Sequence, residues 1–113
     1  MSETIDWSGQ SGKTYRYFVL ANLEPASIVD EGGNYVFAKR LANGNYVPLY
    51  FGIAKSLRER LPKHEVWPDA KRIGATYVMG HTTPSGESAR LDEERDLIQY
   101  WNPALNTQHR TTG

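Results

Sequence analysis

The chain has no cysteine. That excludes disulfides and thiolate zinc sites. It has no apolar run long enough to cross a bilayer and no charged-then-apolar leader pattern. A reducing cytoplasm is the expected location, with no membrane partner. Neither sign of charge is in excess, because 13 basic residues balance 13 acidic ones. Strong indiscriminate attraction to nucleic acid is therefore not expected. No zinc-finger spacing, helix-turn-helix pattern, long basic tail or internal repeat is visible. Gly12-Lys13-Thr14 looks like the end of a phosphate-binding loop. That loop needs a glycine where Trp7 stands, so the reading fails.

What is present suits one domain with its own core, since the chain is 113 residues long. The charge is unevenly spread. From Lys39 to Arg72, eight basic residues stand against three acidic ones, a local charge of +5, and both flanks are acidic. A middle of this kind is either a solvated helix face or a surface that meets a phosphate chain.

Residues 1–13 are rich in Ser and Gly and read as a flexible tail. Residues 14–107 read as the domain, and 108–113 as a second tail. Tyr15 to Ala21 is rich in aromatic and β-branched residues, which marks a strand. Two further strands, 34–41 and 45–51, flank Asn43-Gly44, the pair favoured in a type I′ hairpin turn. Ser56 followed by Glu59 is a capping box that opens a helix. Pro62 falls inside that helix, which must kink or end early. Residues 75–82 form a strand and 87–101 a long helix, ended by Asn102-Pro103. The fold class is α+β: a small, mainly antiparallel sheet of three to four strands flanked by helices.

A two-residue turn at Asn43-Gly44 pairs Leu41 with Tyr46, Phe37 with Tyr50 and Tyr35 with Gly52. Tyr35, Phe37, Lys39, Tyr46 and Tyr50 then share one face. Pro48 is the weak point, because it cannot donate to a ladder and a bulge beside it would reverse the parity. On the next helix Arg60 and His64 are four apart and share a face. On the long helix Leu91, Leu97, Ile98 and Trp101 make an apolar stripe. Glu94 lies on it, while Asp92, Glu93 and Asp96 fall mostly off it. An ionisable group on a buried stripe needs a partner, a proton or a metal. Pairing with Arg60 or Arg90 is the plain structural answer. Two phenols, a guanidinium, an imidazole and a carboxylate also suit phosphodiester hydrolysis. The carboxylate holds a divalent cation, the guanidinium neutralises phosphate, and a phenol or imidazole moves a proton.

These residues form an ordered set of motifs. Gly33-Asn34-Tyr35 is followed by Tyr50-Phe51-Gly52. Ala54-Lys55-Ser56-Leu57 then leads to Arg60, Leu61 and His64. Glu94-Arg95-Asp96-Leu97-Ile98 precedes Pro103 and Asn106. Over residues 33–107 the chain resembles the GIY-YIG endonuclease superfamily. The resemblance implies a metal-dependent endonuclease that hydrolyses phosphodiester bonds in nucleic acid, with DNA the expected substrate.

By position it makes Glu94 the ligand of one Mg²⁺ or Mn²⁺ and Arg60 the holder of the scissile phosphate. Tyr35 and Tyr50 position or deprotonate the attacking water, His64 assists proton transfer, and Asn106 orders the site. Gly52, Lys39, Lys55, Arg58 and Asn106 are the expected substrate contacts. Three positions depart from the pattern. Asn34 replaces an apolar residue, Ile53 stands where some members have lysine, and Pro62 interrupts the arginine helix. With no second DNA-reading domain in view, a DNA-targeting protein partner is a further expectation. The alternative reading is a non-catalytic nucleic-acid-binding or protein-interaction module that keeps the fold.

Overall fold

The computed structural model describes residues 3–108. Five strands form one antiparallel sheet: β1 (Thr4–Ser8), β2 (Thr14–Val19), β3 (Gly33–Arg40), β4 (Tyr46–Ala54) and β5 (Tyr77–Thr82). Their order across the sheet is β1-β2-β5-β3-β4. Helices α1 (Leu57–Arg60) and α2 (Trp67–Arg72) follow β4, and α3 (Glu87–Trp101) and α4 (Ala104–Gln108) follow β5. The class is α+β. No helix among the described residues is long and apolar enough to cross a membrane.

The sheet has one or two strands more than the sequence reading gives, and the extra one comes from the segment read as a tail. Residues 4–8 pair with 14–18 through Thr4–Phe18 to Ser8–Thr14. Burial of Trp7 explains why. It is 2% exposed, and its ring meets those of Phe51 and Trp101 edge-on at 5.8 and 5.5 Å. One large aromatic side chain recovers enough apolar area to order a polar segment. The second tail, 108–113, lies almost entirely outside the described residues.

The hairpin between β3 and β4 reaches the expected register by an unexpected route. Gly44 N–H donates to Leu41 O at 2.9 Å, and Leu41 N–H donates to Asn45 O at 2.7 Å. Gly44 alone in this turn has positive φ, at +91°. The loop therefore has three residues with a left-handed glycine, not a two-residue type I′ turn. Pairing near the turn slips by one, so Arg40 rather than Leu41 faces Tyr46. Leu49 then bulges out, beside Pro48, which has no N–H to give the ladder. The bulge undoes the slip, and Phe37 pairs with Tyr50 and Tyr35 with Gly52. Tyr46, before the bulge, turns to the face opposite Tyr35 and packs against Tyr77.

The period of two divides the core into two layers. Tyr35, Phe37 and Tyr50 face Leu57, Leu61 and Ala70 under α1 and α2. Val36, Phe51 and Met79 face Trp7, Tyr17 and Leu97 under α3. Tyr35 and Tyr50 thus share a face, and α3 covers the other one. Replacement of Trp7 tests whether β1 belongs to the domain. Trp7→Ala should cost about 3–5 kcal/mol in urea unfolding, as for other buried aromatics. An unchanged midpoint and slope would show that β1 is not part of the folded unit.

Candidate active site

Tyr35 projects from β3 at the rung opposite Gly52. Its ring crosses the neighbouring strand there: a Cβ at residue 52 would collide with Tyr35 Cζ and Oη. Gly52, one of the expected substrate contacts, clears a path for the phenol. Tyr50 stands alongside, its ring centroid 6.4 Å from that of Tyr35. Asn106 braces the strand between them. Its Nδ2 donates to Phe51 O and its Oδ1 accepts from Phe51 N–H, both at 2.9 Å. β4 is an edge strand, and the Asn106 amide supplies the hydrogen bonds that a further strand would give. Asn106 therefore braces β4 through the Phe51 backbone.

His64 arrives by a different geometry from the helical spacing. α1 ends at Arg60, Leu61–Lys63 makes a 3₁₀ turn around Pro62, and His64 is extended at φ −70°, ψ 125°. That break carries the imidazole beneath the two phenols, with ring centroids 5.2 Å from Tyr35 and 5.5 Å from Tyr50. Its Nε2 is hydrogen-bonded to Tyr35 Oη. Val66 N–H donates to Nδ1 at 3.0 Å. A neutral imidazole that accepts at Nδ1 carries its proton on Nε2, so His64 donates to the Tyr35 oxygen. The His64 side chain is fully buried.

Arg60 lies within electrostatic reach of both phenols, with a side chain 40% exposed. Its Nη1 and Nη2 donate to the two carboxylate oxygens of Glu65 at 2.8 and 2.9 Å. The pair, chiefly through these hydrogen bonds, draws the Glu65 carboxyl down to about 2. Burial pushes the Tyr35 phenol far above its ordinary range. Tyr50 and Glu94 add to the rise, and Arg60 opposes it. Tyr50 is pushed up to about 12, by burial first and then by the Glu94 carboxylate, again against Arg60. Both phenols therefore feel Glu94 and Arg60. Glu94 itself is buried on α3 at 5% exposure.

The cluster is closed to solvent. Tyr35 is 1% exposed and Tyr50 3%, and His64 is also buried, which leaves Arg60 as the exposed member of the group. Among the expected substrate contacts, Lys55 joins Ser56, Glu59 and Arg60 in lining a surface groove of about 340 Å³. Arg58 is committed elsewhere: its Nε donates to Ile28 O at 2.8 Å and ties down the loop before β3. Lys39 lies against Gly74 after α2, at the other end of β3 from the phenols.

Several residues gain roles that apolar periodicity does not suggest. Asn34, polar within an apolar motif, has its Nδ2 donating to Arg90 O and its Oδ1 accepting from Thr83 Oγ1, at 2.9 and 2.7 Å. It ties β3 to the first turns of α3, and hence Tyr35 to the helix that carries Glu94. Glu93 is a second buried carboxylate, not a solvated charge. Tyr17 donates to it at 2.8 Å, and His81 Nε2 is 2.6 Å from the same oxygen. Asp96 likewise holds the β1–β2 turn through Ser11 and Tyr15. The α3 stripe is centred nearer Glu93, Glu94 and Leu97 than its leucines imply. The only sequence signal for Glu93 is the adjacency of two acids one turn before Leu97-Ile98.

No group of three or more His, Asp or Glu side chains among the described residues could hold a metal ion. Glu94 offers one carboxylate. Mg²⁺ and Mn²⁺ suit that donor set, because Mg²⁺-type ions take one or two carboxylates and fill other positions with water and substrate phosphate oxygens. A closed zinc site, with four protein ligands, does not.

Comparison with known proteins gives no match: no family model, no curated protein and no solved structure matches this chain.

The raised phenols have a consequence for pH. A tyrosine whose folded pKa exceeds its unfolded value of about 10 contributes stability that is intact below pH 10 and is lost as pH rises toward the folded value. The melting temperature should therefore be flat through pH 7–9 and fall above about pH 10. Tyr50→Phe should lessen the alkaline slope. A slope unaffected by that change would show that Tyr50 is not held neutral by burial.

Proposed function

We propose that the chain is a metal-dependent endonuclease of the GIY-YIG type that hydrolyses phosphodiester bonds in nucleic acid, with DNA as substrate. The observation that carries this reading is the buried cluster of Tyr35, Tyr50 and His64, whose two phenols both feel the charges of Arg60 and Glu94. These groups come from β3, β4, α1, the 3₁₀ turn and α3. A core built only for packing has no need of a guanidinium and a buried carboxylate within electrostatic reach of two phenols.

In this reading Arg60 receives the phosphate. Its planar fork matches two non-bridging oxygens with parallel hydrogen bonds and neutralises their charge. A divalent cation at Glu94 would supply further charge neutralisation and a more acidic water. Tyr35 and Tyr50 stay protonated at neutral pH because burial raises them. They orient the attacking water through hydrogen bonds rather than taking its proton by themselves. His64 Nε2–H fixes the Tyr35 oxygen, and Val66 N–H fixes His64. Asn106 fixes the Tyr50 strand. The groove at Lys55 and Arg60 carries the backbone next to the scissile phosphate.

A second reading is a nucleic-acid-binding module without catalysis. The closed state of the phenols favours it, since a phosphate could engage Arg60 and go no further. A nuclease assay on a panel of DNA forms with Mg²⁺ or Mn²⁺ separates the two. For an enzyme, Glu94→Gln should lower cleavage by two orders of magnitude or more, comparable to removing one group that stabilises transition-state charge (about 10²–10³-fold). The fold should persist, because the amide is nearly isosteric. Arg60→Lys should lose roughly 10- to 100-fold although the charge is kept, the worth of one charge-assisted hydrogen bond. Wild-type rates in both variants would exclude the assigned roles, and binding without cleavage by the unaltered protein would favour the module.

A further inference from the structure

Arg60 already holds an anion. Glu65 offers two oxygens to Nη1 and Nη2 at 2.8 and 2.9 Å, the parallel arrangement that two phosphate oxygens would adopt. The carboxylate carries one negative charge, as does a phosphodiester. Its placement follows from the local chain. Pro62 ends the helix, His64 turns inward under Tyr35, and the next residue emerges at the surface beside Arg60. Glu65 is anchored through a buried neighbour, while its own side chain is 65% exposed. An exposed side chain on a fixed backbone can swing aside without disturbing the core. An exposed ion pair contributes only a small stabilisation, and although the two-point geometry puts this one at the upper end, a ligand with further contacts can displace it.

We propose that Glu65 is the resident anion of the Arg60 site: it occupies the guanidinium fork until a phosphodiester displaces it. The inference rests on reading Arg60 as the phosphate-binding group. It gives Glu65 a selective effect. A nucleic acid that touches Arg60 alone must compete with a carboxylate tethered five residues away in sequence. A substrate that also engages the Lys55 groove has binding energy to spare for the exchange. The tether also offsets the positive charge of the fork in the free protein.

The test is a comparison of the full-length protein with Glu65→Gln, Arg60→Ala and the double variant. Binding of a fluorescein-labelled DNA duplex is read in EDTA, so that metal-dependent cleavage does not intervene. Glu65→Gln should tighten binding roughly two- to fivefold at low salt, the scale of an exposed ion pair. Glu65→Gln should give no gain when Arg60 is already alanine, because the competitor then has nothing to occupy. Glu59→Gln, which removes an acid from the same groove, controls for general charge and should change affinity less. With Mg²⁺ present, KM should fall by the same factor at unchanged kcat. Unchanged or weaker binding by Glu65→Gln overturns the proposal, as does an equal gain with Glu59→Gln or without Arg60. A fall in kcat overturns it too, because Glu65 would then be aiming Arg60 rather than blocking it. Cleavage by the unaltered protein with any of those outcomes leaves the nuclease reading standing. Failure of the unaltered protein and Glu65→Gln both to bind and to cleave overturns the two together.

Discussion

Tyr35 lies where it does only because residue 52 has no side chain. The aromatic ring crosses the edge strand directly over Gly52, where any Cβ would overlap the ring and its hydroxyl. Much of the pocket depends on that crossing. It carries the Tyr35 oxygen to His64 Nε2 and within the influence of Arg60. The β4 backbone that flanks Gly52 is in turn clamped by the Asn106 amide, which satisfies both polar groups of Phe51. A glycine, a two-way amide bond and a bulge at Leu49 together place two phenols side by side on one face of the sheet.

The electrostatics follow from burial more than from any single pair. Two nearly inaccessible phenols feel a guanidinium and a carboxylate in opposite senses, and desolvation keeps both phenols neutral. The positive charge near the phenols is that of the half-exposed Arg60, and Glu65 offsets it. The back of α3 repeats the theme with Glu93, which is satisfied by Tyr17 and His81. Two adjacent acids on one helix therefore serve different layers. Glu93 locks α3 to β2 and β5, while the charge of Glu94 is felt by both phenols. Asn34 links the layers by tying the strand of Tyr35 to the first turns of α3.

Residue types and local spacing made the main elements legible. The long helix, the β3–β4 hairpin, the Ser56 cap and the helix break at Pro62 could all be read from local signals. The shared face of Tyr35 and Tyr50 could also be read, although by compensation. The true turn is one residue longer than Asn43-Gly44 suggests, and the Leu49 bulge restores the phase. What escaped depends on long-range contacts. A five-residue strand with one tryptophan looks like a tail until Phe51 and Trp101 are known to surround it. Glu93 looks solvated until a tyrosine and a histidine from two distant strands reach it. The contact of His64 with Tyr35 comes from a broken helix rather than from the four-residue spacing that drew attention to it. Glu65, which follows it, carries no pattern at all.

Coupling between positions 52 and 35 tests the central constraint most directly. Chemical unfolding is measured for Gly52→Ala, Tyr35→Leu and the double variant. If the ring crosses over the glycine, the added methyl is costly beside tyrosine and nearly neutral beside leucine, which has no atoms at the position of the ring tip. The double variant should then be about as stable as Tyr35→Leu alone. An equal cost for Gly52→Ala in both backgrounds would contradict the account, because it would mean that the Tyr35 ring does not lie over Gly52.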